Sequence, residues 1–150
     1  MKIKIEKLVY GGYGIGRIDD KVIFIKGGVP GDFVNIEITE KRKNYDIGII
    51  RNILEPSAHR QVPKCKYFGR CGGCDWQDID YRFQLNSKQS ILSETLEKIA
   101  GVKDFKIDSI VSSSTDYNYR NRVTIHVENL NGVHSIGFKE EHSHKLVSIE

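Results

Sequence analysis

The sequence predicts a mainly β fold with some α. A small OB-like five-stranded β-barrel is expected over residues 1–55, a linker over 56–64, and an α+β region with antiparallel strands over 65–150. Three observations carry that expectation. Short apolar runs punctuated by glycine fill the first third of the chain, a polar stretch with two prolines follows, and one long helical pattern then gives way to alternating strands.

In the barrel, Ile3 and Ile5 alternate with charges, Val22 to Ile25 form a compact apolar run, Val34, Ile36 and Ile38 alternate again, and Ile47, Ile49 and Ile50 close the series. Gly11 to Gly16 are expected to separate the first two strands, Asp19-Asp20 to make a tight hairpin, and Gly27 to Gly31 to separate the third strand from the fourth. A sheet this small removes its edges by closing on itself. The glycine stretch departs from the GxGxxG spacing at Arg17, so it reads as turns and bulges and not as a phosphate cradle.

Glu55 to Pro63 read as the linker, with little apolar content and no periodicity. Asp78 and Asp80 are candidate helix caps, a helix is expected from Tyr81 to Ala100, and Gly101 is its stop. Leu85, Leu92, Leu96 and Ile99, joined by Ile91, make one packing stripe. Val123, Ile125 and Val127 then alternate, Asn131-Gly132 signals a hairpin back through Phe138, and a last strand covers Lys145 to Ile149. The chain stops at Glu150 inside that pattern, which raises the expectation of a longer protein whose absence would expose the helix stripe and favour dimerisation.

Composition narrows the function classes. The 150 residues are 39% hydrophobic and 29% charged, the range of a globular protein. No window reaches the roughly 18 apolar residues of a membrane span, and Met1 to Lys4 lead into strand alternation instead of a signal peptide, so a cytoplasmic location with no membrane partner is expected. Residues 1–64 carry 12 Lys/Arg against 8 Asp/Glu, whereas 65–150 carry 11 against 12. The basic front half permits a polyanionic partner.

Cys65, Cys71 and Cys74 are the only cysteines and sit as CxxxxxCxxC. An iron–sulfur cluster uses three thiolates close in sequence and a fourth from far along the chain, structural zinc wants a second knuckle or a histidine such as His59, and a catalytic thiol would explain only one of the three. Those readings rank in that order. Trp76 beside them is expected to shield the site, and His142 and His144 to belong to a solvated turn. Lys41, Arg42, Lys43 and Tyr45 form a basic knuckle ending in an aromatic ring. Charge runs of this kind are ordinarily solvated loops, but on an OB-like barrel they also hold nucleic acid, with cations on phosphates and tyrosine on a base. Arg120 and Arg122, expected on a strand, are second-rank candidates.

Several motifs together carry a resemblance. Gly11 to Arg17 and Val29-Pro30-Gly31-Asp32-Phe33-Val34 look like the turn motifs of a TRAM domain. Cys65 with Cys71-Gly72-Gly73-Cys74-Asp75-Trp76-Gln77 is similar to a CxxxxxCGGCxxQ cluster motif, and Tyr81, Gln84, Leu85 and Lys88 to a YxxQLxxK helix start. Tyr119-Arg120-Asn121-Arg122, Gly137-Phe138 and Leu146 to Ile149 add to the pattern. The chain thus resembles the bacterial uracil-5 methyltransferases of large-subunit ribosomal RNA. The resemblance implies a TRAM barrel that binds RNA and a 4Fe-4S cluster on Cys65, Cys71 and Cys74, with a fourth cysteine just beyond Glu150. It implies S-adenosylmethionine and catalytic groups on a further domain, so that residues 1–150 would be silent alone. The rival readings are a stand-alone RNA-binding module with a metal knuckle, and a zinc-stabilised structural domain.

Overall fold

A computed structural model describes residues 1–130, 132–141 and 143–149, so Asn131 of the expected hairpin, His142 and Glu150 lie outside the described residues. Two compact units form. One combines Met1–Gln61 with Asp78–Ser112, the other Val62–Gln77 with Ser113–Glu150.

The first unit holds strands β1 (Lys2–Lys4), β2 (Lys7–Leu8), β3 (Tyr13–Ile18), β4 (Lys21–Lys26), β5 (Phe33–Lys41) and β6 (Tyr45–Glu55). Their order in the sheet is β1-β5-β6-β4-β3-β2, with β4 and β6 parallel and the other pairs antiparallel. Six strands appear where five were expected because the first is interrupted at Ile5 and Glu6. The Ile5 amide donates to Asp32 on one side and the Glu6 amide to Ile15 on the other. Those two residues join the sheet's two edge strands covalently, so the sheet has to curl. Inside it Ile3, Ile5, Ile23, Ile25, Val34 and Ile36 are buried, with Ile18, Ile38 and Ile50 packed against them. Each such side chain contributes about 1.5–3 kcal/mol.

The Asp19-Asp20 hairpin forms as expected, with both residues at positive φ (49° and 61°) and Ile18 opposite Lys21. The glycine stretch behaves differently from the expectation. Gly14 and Gly16 lie inside β3, and the reason is steric: a Cβ would sit 2.6 Å from the Gly28 carbonyl oxygen at one and 2.4 Å from that of Lys4 at the other.

The expected linker is pinned to the barrel. Asp32 is fully buried at the β4–β5 turn and accepts from the Val29 amide (2.9 Å) and the Ser57 amide (2.8 Å). Arg60 completes its shell through Nε (2.9 Å) and a terminal nitrogen (2.7 Å), donates to Asp78 (2.7 Å) and reaches the Gly27 carbonyl (2.8 Å). A buried carboxylate needs such a partner, and that need outweighs the proline-rich composition. Residues 59–61 also ladder against 78–80 around an Arg60–Ile79 bridge. The chain between them leaves and returns at one place.

The helix α1 (Tyr81–Glu94), extended by a π turn over Thr95–Ile99, therefore belongs with the barrel unit and not with the cysteine segment. Asp80 caps it, one oxygen accepting from the Phe83 amide (2.8 Å) and the other meeting His59 Nδ1 (3.1 Å), whose ring stacks on Phe83 at 3.8 Å. Lys7 of β2 donates to Glu94 (2.7 Å) and holds that carboxyl below its usual range. Leu92 and Ile99 on the apolar stripe are exposed. No described helix is long and apolar enough to cross a membrane.

The second unit contains β7 (His126–Leu130), β8 (Val133–Lys139) and β9 (Leu146–Ser148) in one antiparallel sheet. Pairing begins at His126 opposite Gly137, so Val123 and Ile125 precede the strand they were expected to open. Gly137 is obligatory here: a Cβ would lie 1.9 Å from the Val147 carbonyl oxygen.

Candidate functional site: the basic knuckle and the cysteine segment

Both candidate regions are built by turns that the sequence dictates. At the first, β5 ends with Lys41 and β6 begins with Tyr45, leaving Arg42, Lys43 and Asn44 at the tip. Asp46, mostly buried, organises the turn. It accepts from Lys21 Nζ (2.6 Å) and from the Arg42 amide (3.2 Å), while Lys21 also donates to the Arg42 carbonyl (2.9 Å). The Lys21 hydrogen bond holds the Asp46 carboxyl below its usual range, and the positive charge of Lys41 adds to that. Arg42 pairs with Glu40. Lys41 and Lys43 make no ion pair among the described residues and are the cations this knuckle leaves to an outside anion.

Tyr45 is 39% exposed and is not alone. Its ring meets Phe24 of β4 edge-on, with centroids 5.2 Å apart and planes at 74°, and Phe24 meets Tyr13 of β3 at 6.2 Å and 85°. The register explains the row: Val22 lies opposite Tyr45, Phe24 opposite Ile15, and Tyr13 opposite Lys26, so three neighbouring strands turn these rings to one outer face. Sequence reading singles out Tyr45 and misses Tyr13 and Phe24. One is hidden in the glycine stretch and the other in an apolar run, and only the strand register relates them.

In the second unit, Phe68 and Cys71 close turns onto the carbonyls of Cys65 (3.1 Å) and Tyr67 (3.0 Å), and the Cys65 amide donates to Gln77 Oε1 (3.3 Å). Cys71 is bridged to Glu140, and the Gly72 amide donates to the Lys139 carbonyl (3.0 Å). A Cβ on Gly72 would lie 2.9 Å from the Glu141 backbone, which is why the pair between the cysteines begins with glycine. The Gly73 amide points at Cys71 Sγ (3.4 Å). All three thiols are free, Cys65 and Cys74 exposed and Cys71 half-buried. Among the described residues no three His, Cys, Asp or Glu side chains are gathered into a metal-holding group. The donor chemistry is nevertheless that of thiolate-bound iron or zinc, with a backbone N–H on sulfur of the kind that tunes such clusters.

Arg120 and Arg122 are exposed in the irregular stretch before β7, not on a strand. The Arg120 guanidinium lies 5.9 Å from the Tyr119 ring centroid, and Lys64 Nζ lies 4.2 Å from that of Tyr117. Cations beside aromatic rings thus recur in this unit.

Comparison with known proteins places these features. Residues 1–50 match the family described as TRAM domain. A protein of Aquifex aeolicus named an uncharacterized RNA methyltransferase is 33% identical over 150 residues, covering 100% of this chain and 34% of the relative. Relatives of the same printed name in Clostridium tetani (34% over 139 residues, 93% of this chain and 30% of the relative) and Caldanaerobacter subterraneus (36% over 149 residues, 99% and 33%) behave alike. The chain spans about a third of the length of these relatives.

Proposed function

We propose, for a chain that carries a TRAM domain at residues 1–50 and is homologous along its whole length to about a third of proteins named RNA methyltransferase, that it is the RNA-recognition portion of a ribosomal RNA uracil-5 methyltransferase. The observation that carries the reading is the coincidence, on one continuous chain, of that domain with a homology that runs through the cysteine segment to the last strand. Motifs of the same enzymes recur throughout it, CGGC at 71–74 and YRNR at 119–122 included.

In this reading the barrel receives a single-stranded or loop segment of ribosomal RNA in the cytoplasm. Lys41, Arg42 and Lys43 meet phosphates and Tyr45 stacks on a base, while Arg120 and Arg122 offer further cations to the RNA. Cys65, Cys71 and Cys74 supply three thiolates to a 4Fe-4S cluster. When bound, that cluster supplies a rigid covalent staple between distant segments of chain, and a redox-active centre. The cysteines are ligands and not the nucleophile. Methyl transfer from S-adenosylmethionine is assigned to sequence outside residues 1–150, where a thiolate would add to C6 of a flipped-out uracil, C5 would take the methyl group, and removal of the C5 proton by a base would expel the thiolate and restore the C5–C6 double bond.

RNA binding is tested by the salt dependence of affinity. Replacing Lys41, Arg42 and Lys43 together by Ala reduces the slope of log K against log salt by roughly 0.7 for each phosphate left without its cation on a single strand. Because Arg42 already pairs with Glu40, the change is expected to correspond to one or two phosphates in place of three. An unchanged slope removes the knuckle from the interface.

A further inference from the structure

We infer that Tyr13, Phe24 and Tyr45 form a stacking platform for two successive bases of single-stranded RNA, in which Tyr13 and Tyr45 offer the ring faces and Phe24 braces both. The inference rests on the RNA-binding reading above and extends it from a charged loop to a defined aromatic surface. Three features carry it. The rings come from three adjacent strands of the barrel wall, so their positions follow from backbone pairing and not from a mobile loop. Phe24 touches both neighbours edge-on, which holds two tyrosine rings in place before any ligand arrives. Ordering them then costs little at the moment of binding. Cations lie at both ends of the row, Lys26 opposite Tyr13 and Lys43 at the tip before Tyr45, and the carboxylates at the Tyr45 end, Glu40 and Asp46, are paired with Arg42 and Lys21.

Packing alone is a sufficient reason for cross-strand aromatic contacts, and it makes a different prediction. A ring that serves only the barrel is missed in the melting curve. A ring that serves a base is missed in the binding curve.

The test measures fluorescence anisotropy of a labelled oligouridylate of about twelve nucleotides, within the usual range for one OB-type fold. The proteins are the unaltered chain, Tyr13→Ser, Tyr45→Ser, Tyr45→Phe and Lys43→Gln, each with a thermal melt. Loss of one stacked base corresponds to about a 5- to 150-fold weakening. Each serine variant is expected to bind roughly tenfold more weakly with an unchanged salt slope, Tyr45→Phe to bind within about twofold, and Lys43→Gln to flatten the slope by roughly 0.7. Serine variants that bind as tightly as the unaltered chain overturn the platform and leave RNA binding intact. Equal binding of a duplex of the same length also overturns it, since paired bases offer no face. No binding of any RNA by the unaltered chain at low salt overturns the RNA-binding reading itself. If Tyr13→Ser melts far below the others, Tyr45→Ser, on the exposed end of the row, decides.

Discussion

Replacing Arg60 by Gln removes the guanidinium that bridges Asp32 and Asp78, and the structure allows the cost to be worked out. Asp32 is fully buried, and the Arg60 side chain is itself only 16% exposed. The substitution deletes three bonds to Asp32 at 2.9, 3.1 and 2.7 Å, one to Asp78 at 2.7 Å and one to the Gly27 carbonyl at 2.8 Å. Asp32 keeps the Val29 and Ser57 amides, so its charge is partly solvated by backbone dipoles. Breaking a buried pair from one side costs about 3–5 kcal/mol, which for a unit of this size lowers Tm by more than about 10 °C. The assay is urea unfolding followed by far-UV circular dichroism. A second signature comes from pH. Burial already pushes the Asp78 carboxyl above its ordinary value while Arg60 pulls against that rise. Without Arg60 the carboxyl rises further, and a folded-state pKa above the unfolded one means stability is lost as pH increases through that window. The deficit of Arg60→Gln is therefore largest at neutral pH and shrinks on acidification. A destabilisation below about 1 kcal/mol, or a deficit that does not change with pH, refutes the clamp.

Acid acts oppositely at Asp46 and Glu94, both held below their ordinary values by Lys21 and Lys7; their contribution is present above the ordinary carboxylate range and is lost as pH falls through the folded values. Lys21→Met should flatten that acid limb in melts taken from about pH 6 downward, and an unaltered limb would exclude Asp46 as a source. Gly16→Ala drives a Cβ to 2.4 Å from the Lys4 carbonyl and is expected to destabilise by about 1–3 kcal/mol in urea titrations, without changing RNA affinity in the folded fraction. For the cluster, anaerobically purified full-length protein should be brown, with broad charge-transfer absorbance near ~400 nm that Cys71→Ala abolishes. Colourless protein holding one zinc per chain would rule out iron.

What is legible in the sequence is what local patterns can encode. Alternating isoleucines place the buried face of the barrel because side chains alternate along a strand, and Asp19-Asp20 announces its hairpin because these residues tolerate positive φ. Asp80 is recognisable as a cap for the same local reason. Relations between distant residues are not legible. Arg60 reads as one charge in a polar linker, and only the fold brings it to the buried carboxylate of Asp32, 28 positions earlier. Tyr13 and Phe24 read as turn and core residues, and only strand register puts them in a row with Tyr45. The same holds for Gly14 and Gly16, whose small size answers to backbone crossing over them from elsewhere in the fold.

The bridge between Cys71 and Glu140 sets an order of events during synthesis. The cysteine segment is anchored through the Lys139 carbonyl and the Glu140 backbone, the latter 69 positions further on from Cys71. At roughly 5–20 residues per second, about 3–14 s pass between the synthesis of the loop and that of the strand end that anchors it. Through that interval the segment has its own turns, the Cys65–Gln77 bond and the Arg60–Ile79 ladder at its base, and lacks the anchor that Lys139 and Glu140 supply.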